Sequence, residues 1–313
     1  MKNLWLLVLL AAVGCFDLPD FAQSSMIDRP RILAVVADPP EISPTRSDST
    51  TLSILVAGAK EVSDVRWLAC GMPSSFGTGN QYGENDGDSG CGNRAIVLGE
   101  GERIEVPLEQ ARAFLNSDEL ARAALGAQLP AAVLEQVRTS IGIAATVQVE
   151  IKADNKHLRA LKRVLVREQD HPGTNPPPPS FRFGDTIVRS LGAQAPYRCA
   201  PGEGQLHAKR GETVSLSPVF DGDVEPWLEE YNVMDARGVI DQRMEQAFYS
   251  WFTDQGALDD DMTRAPNRNN SWRAPDKSGC AHLWLVVRDG HAGATACSTQ
   301  VAVGEAACSD DNF

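Results

Sequence analysis

The amino-acid sequence predicts a mainly β protein built from antiparallel β-sandwiches. Short segments that alternate apolar and polar residues recur along the 313-residue chain, and turns containing glycine and proline separate them. In residues 50–56, for example, Leu52, Ile54 and Val56 share one face of a strand, because side chains alternate with a period of two. Many short strands with turns between them are typical of a sandwich.

The first half of the chain, residues 31–168, contains strand patterns and one helical stretch. Trp67 is the expected core anchor, and Pro39 and Pro40 end the first strand because proline cannot donate to a ladder. An α-helical insertion is predicted at about 108–140, where a cap at Asn116 or Ser117 precedes apolar residues at helical spacing. Strands are predicted at 31–37, 50–56, 62–69, 95–98, 103–106, 144–151 and 161–166.

Residues 169–180 are the predicted boundary between two domains, the number that the chain length favours. Four consecutive prolines at 176–179 favour an extended polyproline II spacer. The second half, residues 181–304, begins with strand patterns at 181–189 and 211–217 and continues with strand patterns at 230–235 and 247–252. It ends in a predicted hairpin whose turn lies at 289–293, where His291 is expected to be exposed. Residues 305–313 form a tail.

Several motifs of the second half resemble a known family. Residues 249–252 read Tyr-Ser-Trp-Phe, residues 272–275 read Trp-Arg-Ala-Pro, and residues 285–290 read Leu-Val-Val-Arg-Asp-Gly. These motifs resemble those of PKD-like and immunoglobulin-like domains, and the first half is similar in a looser way. The resemblance implies two immunoglobulin-like/PKD-like antiparallel β-sandwich domains, the first with the α-helical insertion. It implies no particular activity, because one fold carries many functions.

The first fifteen residues resemble the signal peptide of a bacterial lipoprotein. Lys2 precedes an apolar run of signal-peptide length, and residues 10–15 read Leu-Ala-Ala-Val-Gly-Cys. This ending resembles a lipobox, which implies a signal peptide at 1–14, cleavage after Gly14, and diacylglycerol and palmitate-type acylation at Cys15. Residues 15–30 would then form a tether. The alternative is an ordinary signal peptide cleaved near Ala22.

The net charge predicts which partners the protein excludes, and the residue after Cys15 predicts its location. The chain has 29 basic and 42 acidic residues, a net charge of −13, which repels phosphate backbones, so we expect no nucleic-acid partner. The membrane contact would be made by the N-terminal lipid, since stable anchoring needs two or more acyl chains. In the enterobacterial sorting rule, an Asp after the lipidated Cys retains the protein at the inner membrane. Phe16 stands there, so the expected location is the cell envelope, at the outer membrane.

The remaining cysteines predict disulfides. Export to an oxidising compartment and the absence of any Cys-x-x-Cys pair favour disulfides over zinc. Cys70 and Cys91 bracket one loop and are expected to pair, whereas the other four allow three pairings among which the sequence does not choose. The six candidates are Cys70, Cys91, Cys199, Cys280, Cys297 and Cys308.

Two motifs in the loop at 71–93 suggest chemistry. Residues 87–92 read Gly-Asp-Ser-Gly-Cys-Gly and resemble the nucleophile loop of trypsin-like proteases, but no histidine precedes His157, and in that family the base precedes the serine. Glu84, Asp86 and Asp88 are closely spaced oxygen ligands that make a weak calcium candidate. No other cofactor is expected.

These patterns predict a non-enzymatic envelope lipoprotein that displays two sandwiches for binding or structural roles. The sequence has no Gly-x-Ser-x-Gly elbow, P-loop or His-Glu-x-x-His helix. An envelope protein or a glycan is the expected partner, and the loop at 71–93 is the expected contact surface. Two alternatives remain open: an accessory, glycan- or protein-binding part of an extracellular enzyme system, and a calcium-dependent adhesion module.

Overall fold

A computed structural model of the chain describes residues 24–43, 49–70, 95–107, 132, 135, 137–168, 172–192, 195–220, 225–234 and 239–309. Within these ranges nearly all regular structure is β, which confirms the predicted mainly β class. The helical structure there consists of residues 132 and 135, one π-helical turn at Val137–Ile141 and a 3₁₀ residue at 192. Across the same ranges, no helix combines the length and apolar character needed to cross a membrane.

Strands of the first half form two facing sheets. They are β1 (Arg31–Asp38), β2 (Glu41–Ile42), β3 (Ser49–Ala57), β4 (Val62–Cys70), β5 (Ile96–Glu100), β6 (Arg103–Pro107), β7 (Ile143–Ala153) and β8 (Lys156–Val166). One sheet has the strand order β1-β3-β6, and the other has the order β2-β8-β7-β4-β5.

The core of the first sandwich lies between these sheets. Leu52 and Ile54 face inward from one sheet, and Val149 and Ile151 face inward from the other, as the period-two pattern predicts. Trp67 is fully buried in this core, and its indole Nε1 donates to the carbonyl of Gly101 at 2.8 Å. The predicted core anchor therefore keeps its polar atom hydrogen-bonded, as a buried tryptophan requires.

Strands of the second half form a second pair of sheets and a separate hairpin. They are β9 (Ser180–Phe183), β10 (Thr186–Ser190), β11 (Cys199–Pro201), β12 (Leu206–Ala208), β13 (Thr213–Pro218), β14 (Glu230–Met234), β15 (Ile240–Met244), β16 (Phe248–Thr253), β17 (Ala257–Leu258), β18 (Met262–Arg264), β19 (Asn270–Arg273), β20 (Gly279–Arg288) and β21 (Ala294–Val303). The sheets have the orders β11-β10-β9-β13-β19-β17 and β12-β21-β20-β16-β18, and β14 pairs with β15.

Three aromatic residues dominate the second core. The ring of Phe181 meets that of Trp251 edge to face, with centroids 5.7 Å apart. Trp251 donates to Thr263 Oγ1, and the fully buried Trp272 donates to the carbonyl of Gln255, each at 3.0 Å. The Trp residues of the family-like motifs are thus core residues.

Both sandwiches share one topological feature. A short strand crosses to the opposite sheet and pairs in parallel with the last strand of its sandwich, β2 with β8 and β12 with β21. Among the residues that the structure describes, the other strand pairs are antiparallel. Two antiparallel sheets that face each other across alternating inward residues form an immunoglobulin-like sandwich.

A third apolar core joins the two sandwiches. The outer face of β1 and β3 packs on the outer face of β20 and β21. The buried members are Ile27, Leu33, Ala34, Val36, Leu55, Ala57, Trp284, Val286, Ala294 and Ala296. Arg288 Nη2 also donates to the carbonyl of Leu33 at 2.9 Å, and Ser53 Oγ is hydrogen-bonded to the Tyr197 hydroxyl. Four sheets are therefore stacked, and the predicted count of two separate domains is not confirmed.

The predicted helical insertion, tether and proline-rich segment have different outcomes. Most of the predicted helical insertion, residues 108–131, lies outside the described residues, so the insertion is not confirmed. In the predicted tether, Ile27 donates its amide to the carbonyl of Thr253 at 2.8 Å, so this part is bonded to the second sandwich. In the proline-rich segment, residues 176–179 line a small cavity together with Phe220, Trp227 and Tyr249 of the second half.

Candidate functional site

A group of ionisable side chains lies where the two sandwiches meet, beside the proline-rich segment. We call it the junction cluster, and its members are Glu41, Lys162, Arg167, Glu245, Asp289 and His291. The first three belong to the first sandwich, and the last three belong to the second half. Charged groups are rarely buried without a partner, so the contacts of each member decide what the cluster can do.

Glu41 and Arg167 form a buried ion pair. Arg167 Nη2 lies 2.6 Å from Glu41 Oε2, and the two side chains are 8% and 1% exposed. The same carboxylate oxygen accepts the backbone amide of Gly173, also at 2.6 Å. A side chain at Gly173 would put its Cβ 2.8 Å from Glu41 Cδ, so the segment approaches this closely only with glycine there.

His291 lies between two carboxylates from different parts of the chain. Its Nδ1 is 3.8 Å from Glu41 Oε1 and 3.7 Å from Glu245 Oε1. Its ring stacks on that of Tyr231, with centroids 4.1 Å apart. Only 19% of the His291 side chain is exposed, so the expectation that this histidine is exposed was wrong. Strand β14, which falls in the predicted segment 230–235, supplies the covering Tyr231.

Asp289 is buried at the base of the same turn. Its two carboxylate oxygens accept the amides of His291 at 2.8 Å and Gly293 at 2.7 Å. Burial, followed by the negative charge of Glu245, raises the pKa of Asp289 from 3.8 to about 6. This carboxyl therefore titrates close to neutral pH.

Lys162 reaches across from the first sandwich to the same turn. Its Nζ donates to the carbonyl of Ala292. Burial, opposed by the nearby Asp289 and reinforced by Arg288, lowers the pKa of Lys162 from 10.5 to about 8. The cluster thus holds an acid and a base that both titrate nearer to neutrality than usual, which is a feature of functional and of structural charge networks alike.

The proline-rich segment is bonded to both sandwiches at the cluster. Asn175 Nδ2 donates to the carbonyl of Ala37 at 2.8 Å, and Asn175 Oδ1 accepts the amide of Ala294 at 2.9 Å. Thr174 Oγ1 donates to Glu229 Oε1 at 2.7 Å. One asparagine side chain therefore ties the end of β1 to the start of β21.

Two other polar groups lie within the second half. Glu225 is bound by Arg268 at 2.5 and 2.9 Å and by the Tyr249 hydroxyl at 3.2 Å. His282 Nδ1 lies 2.7 Å from Asp254 Oδ2. Each group links segments of the second half to one another.

The disulfide predictions have separate outcomes. Cys199 is bonded to Cys297 and Cys280 to Cys308, which selects one of the three pairings that the sequence left open. Cys70 is disulfide-bonded as well, while its expected partner Cys91 lies outside the described residues.

The other predicted site residues lie outside the described part of the chain. These are the lipidation residue Cys15 and the calcium candidates Glu84, Asp86 and Asp88. Among the residues that are described, no group of three or more His, Cys, Asp or Glu side chains is arranged to hold a metal ion. The junction cluster therefore contains none of the predicted site residues.

No protein-family model matches the sequence, and no curated protein is significantly similar to it. Solved structures do match. A nucleoside hydrolase-related hypothetical protein of Saccharophagus degradans, associated with carbohydrate metabolism, is 16% identical over 39% of this chain and 25% of its own, with a TM-score of 0.22. A Bacteroides ovatus SGBP-B, in complex with a mixed-linkage heptasaccharide, is 13% identical over 89% and 48%, with a TM-score of 0.20.

The D00-D0 domains of intimin are 10% identical over 88% of this chain and 99% of that one, with a TM-score of 0.21. The chain thus spans a quarter and about half of the lengths of the first two proteins. Scores this low support no inference about function, and the fold assignment rests on the strand order above.

Proposed function

We propose that this protein is a non-enzymatic lipoprotein of the bacterial cell envelope that displays two joined sandwiches for binding or structural roles. The observation that carries the proposal is the third core between the sandwiches. An apolar interface, reinforced by Asn175 and Arg288 across it, holds one sandwich in a fixed position on the other. A rigid scaffold is what a displayed binding surface needs, because loops on fixed elements keep their geometry.

The anchoring part of the proposal rests on the sequence around Cys15. Lipid on this residue would hold the protein at the envelope, with the outer membrane as destination because Phe16 follows it. The two disulfides of the second sandwich support export, since such bonds persist in oxidising compartments.

The partner we propose is an envelope protein or a glycan, bound through the loop at 71–93. The test is affinity purification of the full-length lipidated protein from cross-linked envelopes, followed by mass spectrometry and glycan analysis. Alanine replacement across 71–93, with Cys91 retained, should remove the partner. A matched control replaces exposed residues of β8, Arg159 and Arg163, and should keep it. The same partner set for all three proteins would contradict this placement.

Calcium-dependent adhesion is the alternative that Glu84, Asp86 and Asp88 favour. Calcium would then raise the melting temperature of the wild type over that in chelator, because a ligand that binds only the folded state stabilises it. Replacing the three residues by alanine should abolish the rise. An identical melting curve with and without calcium would remove this alternative.

A further inference from the structure

The first residues that the structure describes are attached along β16 of the second sandwich. Ile27 donates its amide to the carbonyl of Thr253 at 2.8 Å, and Thr253 donates its amide to the carbonyl of Ser25 at 2.9 Å. Ser25 and Ile27 are both buried. The chain is therefore already part of the folded body from this point onward.

Ser24 is the residue at which the chain leaves the folded body toward Cys15. Its hydroxyl donates to the Asp261 carboxylate, and its carbonyl accepts Nη1 of Arg31 at 2.7 Å. One of these bonds joins Ser24 to the second sandwich, and the other joins it to the first strand of the first sandwich. The free part of the tether, residues 15–24, therefore starts from a position that is fixed relative to both sandwiches.

Ser24 lies at one end of the stacked sheets, which we call the tether end. In the second sandwich, β16 runs from beside the turn at 289–293 to Thr253 at the tether end. In the first sandwich, β1 starts at this end with Arg31, which pairs with Ala57, the last residue of β3. The tether end also carries two short turns of the first sandwich, residues 58–61 and 154–155.

The opposite end of the first sandwich, which we call the loop end, carries its long connections. Cys70, the last residue of β4, pairs there with Thr146 of β7. Pro107, the last residue of β6, pairs there with Ser49 of β3. The connections that leave from this end are residues 43–48, 71–95 and 108–136. The loop at 71–93, the proposed contact surface, therefore begins and ends far from the start of the tether.

We propose that the tether end is the surface that this protein turns toward the lipid bilayer, and that the loop end points away from it. The inference rests on the lipid anchor of the proposed function, to which it adds an orientation. The tether end then faces the headgroup layer of the membrane that holds the lipid on Cys15.

The length of the free tether supports this orientation. Nine peptide units separate Cys15 from Ser24, and at about 3.6 Å each they reach about 32 Å when fully extended. A flexible chain of this length spans only about 17 Å on average. The folded body is longer than this average, because the eleven residues of β8 alone extend over about 33 Å. The membrane surface therefore lies closer to the tether end than the length of one strand.

The inverted orientation is opposed by the same lengths. With the loop end on the lipid, the tether would have to run back along the whole body, a distance of at least the length of β8. A chain stretched to its limit in this way has lost its conformational freedom, so entropy opposes it. A partner that binds the loop at 71–93 is therefore met on the side of the protein away from the lipid.

The exposed side chains of the tether end suit a headgroup layer. Lys60 and Lys156 are exposed at its two turns, and Glu61 and Asp154 are exposed beside them. Charges of both signs stay hydrated at a membrane surface, whereas burying them in hydrocarbon is costly. The lipid therefore provides the attachment, and these turns provide a polar face above the headgroups.

The test compares the two ends of one strand. Asn155 follows β7 at the tether end, Ala144 lies near the start of β7 at the loop end, and both are exposed. Azidophenylalanine replaces one residue or the other and carries a fluorophore, and the lipidated protein is placed in nanodiscs with and without nitroxide-headgroup lipids. We expect quenching at position 155 to be several-fold stronger than at position 144, because quenching falls steeply with distance from the nitroxide.

A longer tether is the matched control. Inserting about twenty Gly and Ser residues between Cys15 and Ser24 about triples the reach, so that either end can approach the lipid. The difference between the two labelled positions should then fall toward zero. An unchanged difference would overturn the proposal that the tether sets the orientation.

A chemically anchored chain separates this inference from the proposed function. In a chain that begins at Cys15 and carries no lipid, Sγ adds to the double bond of a maleimide lipid and gives the same tether. The described cysteines are disulfide-bonded and do not compete. Missing acyl groups on the exported protein would contradict the proposed function alone. Equal quenching at the two positions of the coupled chain, or stronger quenching at position 144, would overturn the orientation.

Discussion

At the scale of single residues, the buried pair of Glu41 and Arg167 shows what a charge inside the junction requires. Arg167→Met should lower the free energy of unfolding by about 3–5 kcal/mol, because it leaves a buried carboxylate without its cation. Arg159→Met is the matched control, since the pair of Arg159 and Glu150, 3.1 Å apart, is 56% and 30% exposed. Its loss should be below about 1 kcal/mol. Urea denaturation measures both, and equal losses would contradict the account.

Alanine substitutions at two glycines distinguish the cost of a steric clash from the cost of backbone strain. Gly256 and Gly204 both have positive φ, +82° and +69°, so alanine at either position costs about 1–2 kcal/mol. At Gly256 the added Cβ would also clash with the carbonyl oxygen of Arg273, whereas nothing lies within 4 Å of an added Cβ at Gly204. Gly256→Ala should therefore cost about 1–3 kcal/mol more than Gly204→Ala in the same denaturation experiment. Similar costs would show that the turn at Gly256 relaxes freely.

At the scale of elements, the two disulfides of the second sandwich constrain loops of different length. Cys199–Cys297 joins β11 to β21 over 98 residues, and Cys280–Cys308 fixes the segment after β21 over 28 residues. Chain entropy predicts losses of about 4–5 and about 3–4 kcal/mol when each pair is replaced by alanine. Thermal melting of the two double variants measures the order. A larger loss for the Cys280–Cys308 pair would contradict the entropic explanation.

Strand existence could be predicted where alternation extends over five or more residues. The segments of β3, β7 and β8 carry that pattern, whereas β1 and β20 were predicted from nearly continuous apolar runs, which are typical of strands buried on both faces. The short strands β2 and β12 have two and three residues, too few to show a period, and their parallel partners are more than 90 residues away. Strand β14 falls within the predicted segment 230–235, whereas β15 was missed because its polar residues hide the alternation.

At the scale of the whole molecule, the third core should make the sandwiches unfold together. Val286 and Val287 are neighbours on opposite faces of β20, the first in the third core and the second in the core of its own sandwich. Val286→Lys buries a charge between the sandwiches and should split calorimetric unfolding into two transitions. Val287→Ala should lower the stability by roughly 2 kcal/mol while keeping one transition. A single transition in Val286→Lys would contradict the coupling.

The junction cluster could not be predicted from the sequence. Glu41 and Arg167 are 126 residues apart, and Glu41 and His291 are still more distant, so no local pattern links them. In the sequence, Glu41 in the two-residue strand β2 and His291 in a turn both have the pattern of surface residues. Their burial depends on how two complete sandwiches pack, which is a property of the tertiary structure alone. The predicted turn at 289–293 and the predicted proline-rich segment at 169–180 both lie in this region, but neither pattern indicated a buried cluster of charges.

The central claim, a lipid-anchored envelope protein, is tested most directly by mass spectrometry of the mature amino terminus after expression in a Gram-negative host. We predict an amino-terminal peptide that begins at Cys15 and carries diacylglycerol and an amide-linked acyl chain, and we predict that Cys15→Ala loses both the lipid and the cleavage after Gly14. An unmodified wild-type peptide that begins after Ala22, or a chain that retains residues 1–14, would contradict the claim.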